Sequence, residues 1–257
     1  MRILLSGACG RMGRTVAELC RERDITVAAG VDVLSCGDEM GFPVYPSFDA
    51  VQTKADVIVD FTRPETLPEL IAFALHGKLP AVIATTGFNP ADIKRIKDAA
   101  QAIPIFQSAN MSLGINLLKS LIRQAAAVLG EDFDVEIVER HHNRKIDAPS
   151  GTALMLFDEL NKCYPGGREM VPGRETRTQA RDHREIGVHA IRGGTLAGTH
   201  EVGFYGPGET LSIIHDAQNR TVFAQGAIAA AVFLKDKPAG YYAMDDLIKQ
   251  MQSGQNN

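Results

Sequence analysis

The sequence predicts an α/β fold in which a parallel sheet is followed by a second, mixed-sheet α+β domain. In the first half, short apolar runs alternate with helix-like segments, as in a parallel sheet covered by helices on both faces. In the second half, strand-like runs are joined by short glycine turns, which favour antiparallel or mixed pairing. A nearly apolar helical segment at about 222–234 is typical of a buried helix, and we expect it to return to the first domain.

The composition is that of an ordinary globular chain of one large or two modest domains. It has 257 residues, 45% hydrophobic and 23% charged, with a formal net charge of -4. The slight acidity argues against nucleic acid as the main partner. No apolar run approaches the roughly 20 residues of a membrane span. A strand-like run starts at Arg2, so no signal peptide is predicted and we expect a cytoplasmic location.

The cysteines and isolated histidines show no ligand spacing. The four cysteines lack CxxC pairing, and we predict free thiols in a reducing cytoplasm: Cys9, Cys20, Cys36 and Cys163. Five scattered histidines are each expected to be a surface or satisfied core residue: His76, His183, His189, His200 and His215. The sequence therefore predicts no metal site.

The predicted strands of the first half end in small or polar residues. We predict strands at 2–6, 25–31, 56–61, 81–87 and 104–110, and helices at 15–20, 64–74 and 90–102. In parallel sheets ligands bind at the carboxyl ends of the strands. Five such ends should therefore line one crevice, the last three nearest a nicotinamide: Gly7, Asp32, Phe61–Thr62, Thr85–Thr86 and Ala109–Asn110. The alternative is that they are loop residues chosen for turn chemistry.

A glycine-rich turn and an acid downstream predict a Rossmann-type dinucleotide site. Gly7, Gly10 and Gly13 lie between the first strand and the first helix, where backbone amides can approach a pyrophosphate. The spacing is GxxGxxG rather than GxGxxG, so an ordinary tight turn is the alternative. Asp32 follows the second strand, where a carboxylate can bind both ribose hydroxyls and repel a 2′-phosphate.

The residue after Asp32 bears on the choice of cofactor. An NADP-preferring site often carries a basic residue there, whereas this chain has Val33. The sequence therefore favours NAD. Arg11 and Arg14 are close enough in sequence to leave NADP open.

The second half begins with a long predicted helix at 112–129, which Gly130 would end. A strand at 133–139 alternates apolar and acidic residues, which indicates one face in water. A polar loop at about 165–185 is predicted to be mobile, and strands are predicted at 186–191, 201–205 and 210–215. Because an open sheet must cover its second face or its edges, we expect self-association.

The densest chemistry lies in the run 140–152. His141 and His142 can carry protons near neutral pH, and Lys145 adds a compact positive charge. Ser150 is a good N-cap, so the amides of Gly151 and Thr152 should form an anion site. We predict a pocket for a small carboxylated substrate beside a proton donor. A basic surface loop before an ordinary capped helix is the alternative. Neighbouring histidines on a strand point to opposite faces, so one metal ion would not easily take both.

Five segments resemble the dihydrodipicolinate reductase (4-hydroxy-tetrahydrodipicolinate reductase) family. They are Gly10-Arg11-Met12-Gly13, Asp60-Phe61-Thr62, Thr85-Thr86-Gly87-Phe88, Ala109-Asn110, and the run from His141 to Ala153 that contains Lys145, Asp147 and Pro149-Ser150-Gly151-Thr152. The resemblance extends from Arg2 to about Leu247, and the last run is specific to the family.

The resemblance implies a Rossmann domain over 1–111 and 220–257, and a substrate-binding domain over 112–219 that makes a homotetramer. It implies NAD(P)H-dependent reduction of 4-hydroxy-tetrahydrodipicolinate in lysine and diaminopimelate biosynthesis. By resemblance, His141 is the proton donor and Lys145 the second catalytic residue. The implied substrate-binding residues are His142, Ser150, Gly151 and Thr152. The implied cofactor-binding residues are Gly7, Ala8, Cys9, Gly10, Arg11, Met12, Asp32, Ala84, Thr85, Thr86, Ser108, Ala109, Asn110 and Met111.

This chain departs from the family pattern at three positions. Cys9 lies at a variable position of the glycine turn, and Ala84 stands where the family often has glycine. Val33 stands where relatives that use both cofactors carry arginine, so we predict that NADH is preferred over NADPH. Two other classes of protein are the alternatives: a Rossmann dehydrogenase acting on an amino or sugar acid, and a nucleotide-sensing regulator, which would need an added DNA-binding module.

Overall fold

The computed structural model describes residues 1–175 and 178–254. The chain forms two compact units: Met1–Leu113 together with the residues from Arg220 onward, and Gly114–Asn219. Its strands are β1 (Arg2–Ser6), β2 (Thr26–Val31), β3 (Val44–Tyr45), β4 (Val57–Asp60), β5 (Ala81–Ile83), β6 (Pro104–Gln107), β7 (Asp134–His141), β8 (Glu169–Pro172), β9 (Glu185–Arg192), β10 (Gly198–Gly206), β11 (Glu209–Ala217) and β12 (Gly240–Tyr242). Its α-helices are α1 (Arg11–Glu22), α2 (Leu67–Gly77), α3 (Pro90–Ala99), α4 (Leu113–Leu129), α5 (Gly151–Asn161), α6 (Thr221–Leu234) and α7 (Met244–Gly254).

The first unit contains a seven-stranded sheet in the order β12-β6-β5-β4-β1-β2-β3, and every pair in it is parallel. One face packs on α1 and the apolar helix α6, and the other packs on α2 and α3. Because both faces are covered, the central strands are continuously buried rather than alternating. The predicted Rossmann-type sheet is confirmed, and so is the buried helix near 222–234.

The second unit contains a five-stranded sheet in the order β11-β10-β7-β9-β8. Strands β7, β8 and β9 are parallel to one another, whereas β10 is antiparallel to both β7 and β11. The apolar residues of β7 alternate with polar ones and pack on α4 and α5. The predicted mixed sheet is therefore confirmed.

Several short elements escaped the sequence prediction. Strands β3 and β12 have too few residues to show a period, and α7 was also missed. Strand β8 lies inside the segment 165–185, which the sequence predicts to be a loop; positions 176 and 177 of that segment lie outside the described residues. The prediction was wrong at β8 because this four-residue strand ends in proline, a turn signal. Strands β5 and β6 end at Ile83 and Gln107, earlier than predicted.

The prediction of free thiols was wrong for two of the four cysteines. Cys9 and Cys36 form a disulfide, with their Cα atoms 5.4 Å apart. The sequence separation of 27 residues matches no motif, and the pairing arises because the glycine turn after β1 lies beside the loop after β2. Cys20 and Cys163 are free, and burial raises the pKa of the Cys20 thiol to about 11. None of the described helices is both long and apolar enough to cross a bilayer.

Candidate active site

The turn between β1 and α1 forms a cradle of backbone atoms. A Cβ on Gly7 would lie 2.8 Å from the Phe61 carbonyl oxygen, and one on Gly13 would overlap the carbonyl oxygens of Gly7 and Ala8. Helix α1 has no side-chain cap at Gly10 and no acid in its first turn. Its first amides are therefore available to an anion, and the helix dipole favours one there. The cradle fits the pyrophosphate of a dinucleotide.

Asp32 ties this cradle to the end of β2. Its Oδ2 accepts a hydrogen bond from the Cys9 amide, and its Oδ1 accepts one from the Leu34 amide, both at 2.9 Å. An open groove runs past it, lined by Gly7, Gly10, Asp32 and Thr62 among others. The ends of β1, β2 and β4 thus line one groove, whereas Thr85–Thr86 and Ala109–Asn110, which were predicted to line the same crevice, are not among the residues that line it.

Asp60, the last residue of β4, is a buried carboxylate that lies in one of the family-like segments but is not among the predicted site residues. The hydroxyls of Thr62 and Thr85 donate to its two oxygens, each at 2.7 Å. Burial raises the pKa of Asp60, and these hydroxyl donors partly offset that rise. Asp60 therefore joins the ends of β4 and β5. The available signal was an acid closing an otherwise apolar strand.

The remaining nicotinamide-side residues differ in exposure. The Ser108 hydroxyl donates to the Asn110 carbonyl at 2.8 Å and holds that loop in a tight turn. Ala8, Ala84 and Met111 are buried. The predicted residues Thr86 and Ala109 are exposed.

In the second unit, β7 ends at His141, whose imidazole is held by Glu139. His141 Nδ1 lies 2.6 Å from Glu139 Oε2. Both terminal nitrogens of Arg192 donate to Glu139 at 2.8 Å, and the Ser150 amide donates at 3.0 Å. Burial raises the pKa of Glu139, but the hydrogen bonds from Arg192, His141 and Ser150 outweigh it, so the pKa lies below its ordinary value.

Helix α5 begins where the sequence predicts. The Ser150 hydroxyl caps it by accepting from the Ala153 amide at 3.2 Å, and also contacts His200 Nε2 at 3.2 Å. Ser150 is buried, so its hydroxyl acts as the N-cap of the helix. Space is open beside the Cα of Gly151, where a Cβ would meet nothing within 4 Å.

Lys145 lies in the turn after β7, together with His142. Its Nζ contacts Asp147 Oδ1 at 2.8 Å, and this hydrogen bond lowers the pKa of Asp147. Asp147 also interacts with the amide of Gly151. An internal carboxylate therefore occupies two of the donors predicted to hold a substrate carboxylate, and the bond between Ala148 and Pro149 beside it is cis.

His200 on β10 completes the surroundings of His141. The two rings meet edge to face with centroids 5.2 Å apart. Burial lowers the pKa of His200 to about 4, so this ring is neutral at pH 7. Glu139, Arg192 and His200 were all missed by the sequence analysis. For Glu139 a signal existed: it lies two residues before His141 and thus on the same, apolar face of β7, out of phase with Asp134 and Glu136.

The described ranges, 1–175 and 178–254, contain no group of His, Cys, Asp and Glu side chains that could hold a metal ion. A Rossmann-type sheet with a backbone anion cradle in one unit, and a buried His–carboxylate pair beside a lysine in the other, define a dinucleotide-dependent oxidoreductase.

Comparison with known proteins identifies the family. The dihydrodipicolinate reductase N-terminus matches residues 1–111, and the dihydrodipicolinate reductase C-terminus matches residues 114–248. The 4-hydroxy-tetrahydrodipicolinate reductase of Caldanaerobacter subterraneus subsp. tengcongensis is 49% identical over 97% of this chain and 99% of its own length. That of Clostridium tetani is 43% identical over 96% of this chain and 97% of its own length. The chain belongs to the dihydrodipicolinate reductase family, and it is an oxidoreductase of lysine and diaminopimelate biosynthesis that uses NAD(P)H.

Solved structures agree. Dipicolinate-bound dihydrodipicolinate reductase from Paenisporosarcina sp. TG-14 superposes with a TM-score of 0.79 and 25% identity, covering 95% of this chain and 97% of that one. The scyllo-inositol dehydrogenase of Lactobacillus casei with bound NAD(H) and scyllo-inositol gives a TM-score of 0.62 at 15% identity over 96% of this chain and 92% of that one, which shows the shared fold.

Proposed function

We propose that the chain reduces 4-hydroxy-tetrahydrodipicolinate to tetrahydrodipicolinate, with His141 as the proton donor. The observation that carries this proposal is the anchored imidazole of His141, which shares one short segment with Lys145 and the start of α5. Besides the hydride of the cofactor, reduction of a small dicarboxylate needs a proton donor, and a cation and a helix N-terminus that bind the carboxylates. The relatives named for this reaction, and the relative with bound dipicolinate, support the choice of substrate.

The residues have separate tasks in this proposal. The nicotinamide supplies a hydride when bound. Loss of the substrate's 4-hydroxyl group as water gives a C=C bond conjugated with the ring imine. Hydride addition to that bond leaves negative charge, which a preorganised cation and helix amides stabilise. Lys145, Gly151 and Thr152 would hold the substrate carboxylates, with His142 beside them. The substrate carboxylate would replace Asp147 on Lys145. His141 Nε2 would then donate the proton, because Nδ1 is bonded to Glu139.

We further propose that NADH is preferred over NADPH. The Asp32 carboxylate would bind the adenine ribose and repel a 2′-phosphate. Val33 beside it is exposed and offers no cation. The Arg14 guanidinium lies 3.2 Å from Glu39 Oε2, so a 2′-phosphate would have to compete with this carboxylate for Arg14. Arg11 is the remaining exposed cation of the turn and would set any residual NADPH use.

The proposed assembly is a cytoplasmic homotetramer formed through the second unit, residues 112–219. Strand β11 at the edge of that sheet exposes Leu211 and Ile214, and β10 exposes Tyr205. Exposed apolar side chains on an edge strand favour self-association. Size-exclusion chromatography with light scattering at micromolar concentration would contradict the proposal if it gave a stable monomer.

The substrate and the cofactor are tested together by initial rates of NADH and NADPH oxidation. The preceding synthase would generate the substrate in place from pyruvate and aspartate semialdehyde. We expect turnover with NADH well ahead of NADPH. Equal rates would retain the enzyme and remove the argument from Val33. No turnover with either cofactor, in folded protein that binds NADH, would show that the substrate is wrong.

The role of Lys145 is tested by Lys145→Ala against Lys162→Ala. Lys162 is an exposed lysine at the end of α5. Loss of Lys145 should raise KM for the substrate and lower kcat by about 10²-fold or more, because one cation serves both binding and charge stabilisation. The affinity for NADH should be unchanged. If Lys145→Ala behaved like Lys162→Ala, Lys145 would have no part in the reaction.

A further inference from the structure

Glu139 is a fully buried carboxylate that contacts the ring of His141. Its side chain has no exposed surface, and its oxygens accept from Arg192, from the Ser150 amide and from the His141 ring. A buried charge with this many donors is held in a single orientation. Glu139 therefore supplies a rigid acceptor to whichever nitrogen of His141 faces it.

The hydrogen bonds determine the proton positions on the His141 ring. Glu139 accepts from both terminal nitrogens of Arg192, so it is ionised and can only accept. His141 Nδ1 must then be the donor, which leaves Nε2 as the nitrogen whose proton can be exchanged. The backbone of Gly198 lies close to Nε2 of His141, since a Cβ on Gly198 would be 2.8 Å from that nitrogen. The ring thus has one position with little freedom to flip.

We propose that Glu139, clamped by Arg192, is a positioning residue that holds His141 as the Nδ1–H tautomer and presents Nε2 as the proton-donating nitrogen. The proposal rests on the proposed role of His141 as proton donor. Donation from Nε2 leaves the neutral ring with its proton on Nδ1, the tautomer that Glu139 accepts from. Arg192 acts one step further out, because its guanidinium bonds Glu139 and the Asp147 carbonyl rather than the ring.

The decisive variant is Glu139→Gln. Arg192 offers only donors, so the carbonyl of the introduced amide turns towards Arg192 and its NH₂ group turns towards His141. Nδ1 must then accept, and the ring is driven into the Nε2–H tautomer. We expect kcat to fall by on the order of 10²-fold, as for the loss of a general acid, while KM and the affinity for NADH change little.

The readout that a purely structural role would not move is the ¹⁵N spectrum of the His141 ring. At alkaline pH, where imidazoles are neutral, the wild-type protein should show a protonated Nδ1 and an unprotonated Nε2. Glu139→Gln should reverse this pattern. Arg192→Lys keeps the charge but loses the two-pronged contact, and it should give mixed tautomers with a fall in kcat of about tenfold. The Arg192→Lys variant also tests the proposal if Glu139→Gln fails to fold.

Glu136→Gln is the matched control. Glu136 lies on the same strand, and it too bonds a histidine and two arginines, but on the opposite face. It should retain kcat and leave the His141 spectrum unchanged. The proposal is overturned if Glu139→Gln and Arg192→Lys both keep the wild-type tautomer and kcat while His141→Ala is inactive. If the tautomer reverses but Glu139→Gln and His141→Ala both remain active, the proposed role of His141 is what fails.

Discussion

Strand β7 carries two clusters of the same residue types on its two faces, and only one of them lies at the proposed catalytic site. On the inner face, Glu139 bonds His141 and Arg192. On the outer face, Glu136 bonds His189 at 2.7 Å and Arg174 at 2.6 Å. In both clusters the pKa of the glutamate lies below its ordinary value, because hydrogen bonds from histidine and arginine outweigh the effect of burial.

The two clusters differ in their surroundings. The Glu139 side chain is fully buried, and His141 next to it lies beside the turn that carries Lys145 and the start of α5. The outer cluster is more exposed and contains further acids, Asp134 and Glu185, that share its arginines. Its charges therefore satisfy one another and form an ion-pair network. The comparison indicates that a Glu–His–Arg cluster can take part in catalysis when it is buried and lies beside hydrogen-bond donors that can bind an anion.

The largest expected difference between the clusters is in the histidines themselves. His141→Ala should lower kcat by about 10²–10⁴-fold, the usual effect of removing a general acid, with NADH binding retained. His189→Ala should leave kcat within about twofold of wild type, because the outer network touches no substrate donor. Steady-state rates and NADH titrations on both variants decide this. Comparable losses in both would erase the distinction between the faces.

Acid should destabilise the inner face through His200. Its folded-state pKa of about 4 lies below the ordinary value of 6.5, so the unfolded chain binds a proton first as the pH falls. Stability is therefore full above about pH 6.5 and declines towards pH 4, by at most roughly 3 kcal/mol. Urea unfolding at pH 7 and pH 5 measures the decline. It should shrink in His200→Gln, and an equal decline in that variant would show that other groups cause it.

Each cluster has a glycine that makes room for it, and alanine should affect the two differently. A Cβ on Gly198 would lie 2.8 Å from His141 Nε2, so Gly198→Ala should displace the ring and lower kcat about tenfold. A Cβ on Gly187 would overlap the Glu136 carboxylate, so Gly187→Ala should cost about 1–3 kcal/mol of stability while the folded enzyme keeps its kcat. Thermal melts and rates on both variants test this. Loss of kcat in Gly187→Ala alone would contradict it.

The smallest effect is expected at Arg174. It pairs with Glu136 and Glu185 near the surface, and its side chain is 30% exposed. Partly exposed ion pairs within a network contribute about 0–1 kcal/mol, so Arg174→Ala should barely move the unfolding midpoint. High salt should remove what difference remains. A shift as large as that of Gly187→Ala would mean that the outer network is structurally more important than its exposure suggests.

Much of the site was predictable because its residues are close in sequence. The run 140–152 holds His141, Lys145, Ser150 and Gly151 within a dozen positions, and the capped start of α5 follows from local preferences. The glycine turn and Asp32 are likewise local signals at strand ends. The partners of these residues were not predictable in this way. Arg192 is 53 positions from Glu139, and His200 is 50 from Ser150.

The amino-acid sequence by itself determined the alternation of strands and helices, the two kinds of sheet, and the chemistry in the run after β7, because these depend on periodicity and on neighbours along the chain. Only the tertiary structure decided which acid supports His141, which cysteines pair, and where short strands such as β3 and β8 join the sheets. Those features depend on contacts between residues far apart in the chain. The pairing of β7 with β9 places Glu139 and Arg192 on neighbouring strands. Because Glu139 is buried, its carboxylate can accept hydrogen bonds only from the donors that the fold brings to it.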